Sequence, residues 1–201
     1  MSNSKKVCKN KREIYFESLF RKLRYDIAVS NIKDILNKNS IILDYGCGLD
    51  ATFYRYLLKK NIKFKKYFGF DPLIRKDISN NNFLLTSDWK KIKSNSFNLI
   101  TMFAVLEHLP YPKYNFNNFL KLLNKKGHLI LTTPTKLSKY ILESLFTLMG
   151  IVSRREIKEH KHYYSLKEIE KLFNKYSLKV EREKTFELGM NNFVLFKNQK
   201  I

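Results

Sequence analysis

The stretch that most restricts what this chain can fold into runs Ile41-Ile42-Leu43-Asp44-Tyr45-Gly46-Cys47-Gly48-Leu49-Asp50. Its first three residues are apolar and two are β-branched, the pattern of a short buried strand. Two glycines permit a sharp turn, and Phe53, Tyr56, Leu57 and Leu58 follow at helical spacing between Ala51 and Lys60. Strand, glycine turn and helix open a nucleotide-binding βαβ unit, because glycine lets backbone N–H groups approach a ligand that a Cβ would hold away. The run Gly46-x-Gly48-x-x-Ala51 also satisfies the dinucleotide fingerprint in its G/A form, so NAD is one reading. Asp44, at the carboxyl end of the strand, argues for another. A carboxylate there repels a pyrophosphate and suits a cation such as the ammonium of an amino acid. S-adenosylmethionine carries that group and a sulfonium, and has no phosphate. The bland alternative for Asp44 is a cap on the following helix.

Asp44-x-Gly46-x-Gly48 resembles the first motif of the class I S-adenosylmethionine-dependent methyltransferases, and more of the chain agrees. Lys66-Tyr67-Phe68-Gly69-Phe70-Asp71 resembles the second strand, whose final acid accepts bonds from the ribose hydroxyls. Ser87-Asp88-Trp89 resembles the third motif, whose aspartate reads the adenine edge. Residues 96–109, ending Leu106-Glu107-His108-Leu109, resemble the fourth strand and its exit, and Lys126 to Pro134 resembles the fifth. The match covers roughly residues 38 to 197, in order, and is nearest to a small-molecule branch that includes quinone and sugar methyltransferases. Asn98 departs from it, since that branch often has aspartate there.

The resemblance implies an α/β, Rossmann-like fold. Its seven-stranded sheet is mostly parallel, with an antiparallel final hairpin and helices on both faces. It implies a helical leader over residues 1–37, which packs beside the sheet and partly lids the cofactor. The methyltransferase domain then spans 38–201, with a lid insertion near 136–163. The cofactor-binding set it implies is Asp44, Gly46, Cys47, Gly48, Asp71, Leu73, Asp88, Trp89 and Phe103, with Glu107 and His108 as the catalytic pair. Each has a plainer reading: Cys47 as merely a small residue in the turn, Asp71 and Asp88 as turn aspartates, Trp89 as core.

At 201 residues one domain with a real core is expected, and a hydrophobic share of 44% agrees. No stretch approaches 18 uninterrupted apolar residues, and the first residues lack the apolar core of a signal peptide. Cys8 and Cys47 are too few for a disulfide framework or a zinc site, so the cytoplasm is the expected location. The 39 Lys and Arg against 18 Asp and Glu give a net charge of +21. That charge allows a nucleic-acid or anionic-membrane partner. Its lysines are dispersed, however, and no RNA-binding motif accompanies them, so an even surface bias with a pull on anionic substrates is favoured.

Between these motifs, Arg12 to Leu36 reads as two helices with a break at Asn31, and Tyr15, Phe16 and Tyr25 on them can reach substrate or fill core. Ile74 to Asn82 suits a short helix, and Lys113 to Leu123 a longer one. His128 to Thr132 is the fifth strand. Leu137 to Gly150 is a helix apolar on more than one face, a lid that either packs or meets something greasy. His160 and His162 lack the further ligands of a metal pair, so no metal is expected. Ser165 and Glu168 form a capping box ahead of a helix over 166–175. Leu178 to Phe186, a turn at Gly189 to Asn192 and Phe193 to Phe196 make the closing hairpin.

The implied reaction is in-line transfer of a methyl group from sulfonium to an oxygen, nitrogen or carbon of a small-molecule acceptor. The donor is already activated, so alignment, with effective molarities of roughly 10⁵ M or more, supplies much of the rate. No Ser-His-Asp or Cys-His set is therefore required. An imidazole exchanges protons readily at ordinary pH, so His108 is either the base that takes a hydroxyl proton or a residue that orders its loop. Two rivals stay open. A nucleic-acid methyltransferase suits the charge, yet no Asn/Asp-Pro-Pro-Tyr/Phe run follows the fourth strand. A non-catalytic module binding S-adenosylmethionine or NAD is the other.

Overall fold

The computed structural model describes residues 11–93, 96–110, 114–141 and 161–200. Among them eight strands form one sheet: β1 (Ile41–Tyr45), β2 (Lys66–Phe70), β3 (Ile78–Asn80), β4 (Phe83–Thr86), β5 (Phe97–Phe103), β6 (Leu123–Pro134), β7 (Leu178–Phe186) and β8 (Asn191–Asn198). Their order is β3-β4-β2-β1-β5-β6-β8-β7. β4, β2, β1, β5 and β6 run parallel, while β3 and the β7–β8 hairpin are antiparallel. This is the α/β, Rossmann-like sheet expected, with one strand more than seven.

The extra strand is β3. A helix was expected over Ile74 to Asn82, but Ile78 to Asn80 instead folds back on β4 across the two-residue turn Asn81-Asn82. The Asn80 side chain accepts from the Asn82 amide at 3.1 Å, the local bond by which asparagine favours a turn over a helix. A three-residue edge strand with every side chain exposed has no apolar period to announce it.

Helices cover both faces. α1 (Lys11–Ile32) and α2 (Thr52–Lys59) pack Tyr25, Ala28, Ile32, Phe53 and Leu57 against Ile42 of β1, Ile130 of β6 and Leu195 of β8. On the other face α3 (Asn117–Leu120) and α5 (Leu166–Asn174) set Phe119, Leu120, Leu172 and Phe173 against Leu43, Leu129, Leu131 and Phe196. Neighbouring residues of one strand thus serve opposite cores, as strand alternation requires of a sheet buried on both sides. α4 (Lys136–Ile141) follows β6 directly.

Several boundaries differ from expectation. α1 is continuous through Asn31, whose side chain donates back to the Ile27 carbonyl at 2.8 Å and so stays in the helical turn. The helix expected over 113–123 is only α3, because β6 begins at Leu123, where the Asn198 side chain binds the carbonyls of Leu123 and Asn124 at 3.2 and 2.9 Å. The hairpin turn lies before Asn191, so Asn191 and Asn192 belong to β8. The Ser165–Glu168 capping box is present. Of the apolar helix expected over Leu137 to Gly150, residues 142–150 lie outside the described residues, as does His160. Among the described residues no helix is long and apolar enough to cross a membrane.

Candidate active site

β1 is where the strand order reverses: the chain proceeds to β2 and β4 on one side, then to β5 and β6 on the other. A crevice opens at the carboxyl ends of strands at such a point. Asp44 sits there, in register with Gly69 of β2 and Thr101 of β5. Its carboxylate accepts from the Tyr67 hydroxyl at 2.5 Å and from the Thr101 hydroxyl at 2.7 Å. With 2% exposure, burial pushes this carboxyl up to about 6 despite the two bonds, and the negative charge of Asp71 adds to the rise. Asp44 does not cap α2, which begins after Ala51 with no side-chain cap.

The turn itself needs its first glycine. Gly46 has φ +79°, and a Cβ there would come within 2.3 Å of Val105. At Gly48 the opposite holds: a Cβ would meet nothing within 4 Å, so that face of the turn is open to a ligand. Ala51 (φ 43°) and Ala104 (φ 54°) flank the crevice in left-handed conformations, strain of the kind kept at functional sites. Cys47 is buried, and desolvation, with Asp44 and Asp71 adding to it, pushes its thiol far up.

A cleft of about 190 Å³ lies over this turn. Asp44, Gly46, Cys47, Gly48 and Phe103 line it, five of the residues the sequence singled out. Its other wall is α1, through Glu17, Arg21, Arg24 and Tyr25. The helix is anchored there by Asp26, which accepts from Lys22 (2.8 Å), from Lys60 just past α2 (3.2 Å) and from the Tyr56 hydroxyl of α2. The Tyr25 hydroxyl pairs with Thr52 at 2.7 Å. Burial, with Asp44 close by, pushes the Tyr25 phenol up to about 12. Of the three α1 aromatics read as core or substrate contacts, Tyr25 is buried and lines the cleft, while Tyr15 is exposed. Arg21 and Arg24 were missed, because alternating acid and base at four-residue spacing looks like any solvated helix face.

Asp71, Leu73, Asp88 and Trp89 do not line this cleft but stand at the neighbouring exits of β2 and β4. One Asp71 oxygen accepts from the Gly48 amide at 3.0 Å and the other from the Leu73 amide at 2.9 Å, tying the glycine turn to the end of β2. Leu73 is 72% exposed. Asp88 accepts from the Lys90 amide at 2.9 Å and caps the single 3₁₀ turn Trp89–Lys91. The half-buried Trp89 ring stands edge-on to Phe70 (5.0 Å) and Tyr45 (5.9 Å).

At the exit of β5, Leu106–His108 forms another 3₁₀ turn. Glu107 is 1% exposed, accepts from the Thr133 hydroxyl at 3.1 Å, and takes the Lys161 amide on its backbone carbonyl at 2.8 Å. Burial raises its carboxyl; a backbone amide, His108, Thr133 and Arg24 oppose the rise. The His108 side chain is half-buried on the same turn. Nearby, Glu187, Leu188 and Gly189 take φ of 52°, 55° and 83° in succession, and the Thr135 hydroxyl holds the Gly189 carbonyl at 2.8 Å. Burial raises the Glu187 carboxyl too, with Arg24 again opposing. Glu187 was also missed, since a hairpin acid carries no motif. Among the described residues no group of three or more His, Cys, Asp or Glu could hold a metal ion.

A buried carboxylate on the floor, Arg24 and the Glu17-paired Arg21 (3.4 Å) on the wall, Asp50 at the rim and open space above Gly48 place both signs of charge around the cleft, as a zwitterion such as an amino-acid head requires. Two acids facing the turn do not suit a pyrophosphate. The profile of a family described as a methyltransferase domain matches residues 15–183. Among curated proteins no sequence match is found. Among solved structures, one described as a sarcosine dimethylglycine methyltransferase from Galdieria sulphuraria aligns with TM-score 0.63 and 14% identity, over 96% of this chain and 93% of that one. The plantazolicin methyltransferase BpumL in complex with SAH aligns with TM-score 0.64 and 15% identity, over 94% and 89%. The magnesium protoporphyrin IX methyltransferase of Synechocystis PCC 6803 with bound SAH aligns with TM-score 0.57 and 13% identity, over 92% and 83%.

Proposed function

The chain belongs to the methyltransferase-domain family, whose cofactor is S-adenosylmethionine, and on that premise we propose that it methylates a small molecule. The acceptors weighed are a sugar, a polysaccharide precursor and a lipid-linked or quinone-like compound. The similar solved structures include proteins named for small substrates, plantazolicin and magnesium protoporphyrin IX among them, which supports this reading. The observation that carries its cofactor half is the charge layout of the cleft: Asp44 buried beneath it, with Arg24 and the Glu17-paired Arg21 beside it.

When bound, S-adenosylmethionine supplies a methyl group already activated on a sulfonium. The rest falls to this chain. Asp44, held by Tyr67 and Thr101, is the counter-charge for the ammonium; Arg21 and Arg24 are the cations for the amino-acid carboxylate. Gly48 leaves its face of the turn open. Asp71 exchanges its present amide partners for ribose hydroxyls, and two carboxylate oxygens match two vicinal hydroxyls. Leu73, Asp88 and Trp89 bracket the adenine, Asp88 accepting from its amino group. Phe103, which lines the cleft, would help keep water from the bound donor. His108 takes the acceptor proton or orders its loop, while Glu107, bonded to Thr133, holds the 3₁₀ turn that presents it.

Calorimetry with S-adenosylhomocysteine and NAD tests the cofactor assignment: micromolar binding of the first and none of the second is expected, and the reverse would overturn it. The +21 charge supports a second reading, methylation of RNA. Transfer of tritium from labelled S-adenosylmethionine to RNA or to a small-molecule extract separates the two.

A further inference from the structure

The strongest feature outside the donor cleft is a second cavity of about 320 Å³, formed where α4 leaves β6 and where the chain returns before α5. Lys136, Lys139, Lys161 and His162 line it together with the rings of Tyr140 and Tyr163. Three lysines therefore border one space. Among the described residues Lys136 is neutralised by Glu168 at 2.9 Å. That carboxylate also accepts from the Ser165 amide at 2.8 Å and the Ser165 hydroxyl at 2.7 Å, and lies 3.9 Å from His162. Glu168 is thus engaged on every side. Among the described residues neither Lys139 nor Lys161 has an ion-pair partner.

The cavity belongs to the acceptor side of the molecule. Lys136 lies two residues beyond the carboxyl end of β6. The Lys161 amide donates to the carbonyl of Glu107, so one hydrogen bond of 2.8 Å links the cavity wall to the turn that carries Glu107 and His108. Two uncompensated lysines brought together on an exposed face repel one another unless something negative lies between them. An ammonium is a compact point charge well suited to phosphate, and two of them match a dianion better than a single carboxylate. Aromatic walls beside such a pair offer a flat surface to a ring.

Resting on the small-molecule reading above, we propose that the methyl acceptor is phosphorylated and that Lys139 and Lys161 hold its phosphate in this cavity. Lys136 is the fixed member of the set, oriented by Glu168; the other two are the ligand's own partners. The dispersed positive charge of the surface draws such a substrate in, and this pair gives it a defined seat.

The test uses the full chain saturated with S-adenosylhomocysteine, titrated with inorganic phosphate and pyrophosphate at physiological salt. Saturable one-to-one binding is expected, weakened at least tenfold in the Lys139→Ala/Lys161→Ala double variant with S-adenosylhomocysteine affinity unchanged. A control pair, Lys63→Ala/Lys65→Ala, removes the same charge at the amino end of β2, where these exposed residues precede the strand, away from the carboxyl end of β6 that borders the cavity. Equal weakening by both pairs, or by neither, would overturn the site. Vesicles containing phosphatidic acid, bound through the same two lysines, support it and identify the phosphate as a lipid headgroup. Tighter binding of an RNA homopolymer than of pyrophosphate through those lysines overturns it. A wild-type chain that fails to bind S-adenosylhomocysteine counts against the cofactor assignment and is read separately.

Discussion

At the exit of β1, Asp44, Gly46 and Gly48 lie within five consecutive residues, and their partners Tyr67, Thr101 and Asp71 come from the two strands that flank them. At the exits of β5 and β6, by contrast, Glu107, Thr133 and Lys161 come from three separate segments and meet only through folding. The first region is compact and specified by local geometry. The second is an assembly of turns, the short helix α4 and a hairpin tip, with left-handed backbone at Ala104 and at Glu187 to Gly189. On the proposed reading, a donor half built from one short motif would constrain its ligand closely, whereas an acceptor half drawn from distant loops could change partner without disturbing the sheet.

The sharpest way to break this contrast is Gly46→Val. The substitution imposes a left-handed φ on a β-branched residue and drives a side chain into Val105. Loss of S-adenosylhomocysteine binding beyond roughly 1,000-fold and a stability loss of about 3 kcal/mol are expected, read by calorimetry and urea unfolding. A variant that binds normally would mean the turn does not define the donor site.

His108→Ala probes the other half. Turnover should fall roughly 100-fold, the low end for a positioned base, while S-adenosylhomocysteine affinity stays within a factor of two. Equal loss in both quantities would make His108 a residue that merely orders the loop.

Asp71→Ala should weaken S-adenosylhomocysteine by about 1.5–3 kcal/mol, the range for hydrogen bonds to a charged group. Unchanged affinity would detach Asp71 from the ribose and leave it as the tie between Gly48 and Leu73.

The smallest effect concerns pH. The folded Asp44 carboxyl titrates at about 6, above its ordinary 3.8. The ligand-free protein therefore holds this proton more tightly than the unfolded chain does. Its contribution to stability is full below about pH 4 and is lost as pH rises through about 6. A ligand ammonium needs the ionised form, so S-adenosylhomocysteine affinity should run the other way, falling up to about tenfold per pH unit below 6. Asp44→Asn should flatten that profile; an unaltered slope would remove the ammonium assignment.

Much of the donor half was legible because its chemistry is local. A strand, two glycines and an acid at its end are adjacent in the chain, and five of the expected cofactor residues line one cleft. The parallel order of the central strands and the closing hairpin followed from the same motifs. The helix expected over Ile74 to Asn82 was wrong because an Asn-Asn turn and pairing to β4 outweighed its helical spacing. Arg21, Arg24 and Glu187 were illegible for a different reason. Each is an ordinary charged residue locally, and its place in the site depends on where α1 docks and how the β7–β8 tip bends.

The amino-acid sequence by itself determined the central βαβ unit, the acid at its mouth and the identity of the buried strands, since these depend on neighbours a few residues apart. Tertiary structure alone decided which wall of the cleft is basic, which acids become buried beside β6, and which lysines are left without a counter-charge. Those outcomes depend on burial and on distances between remote segments, and no short stretch of chain encodes either.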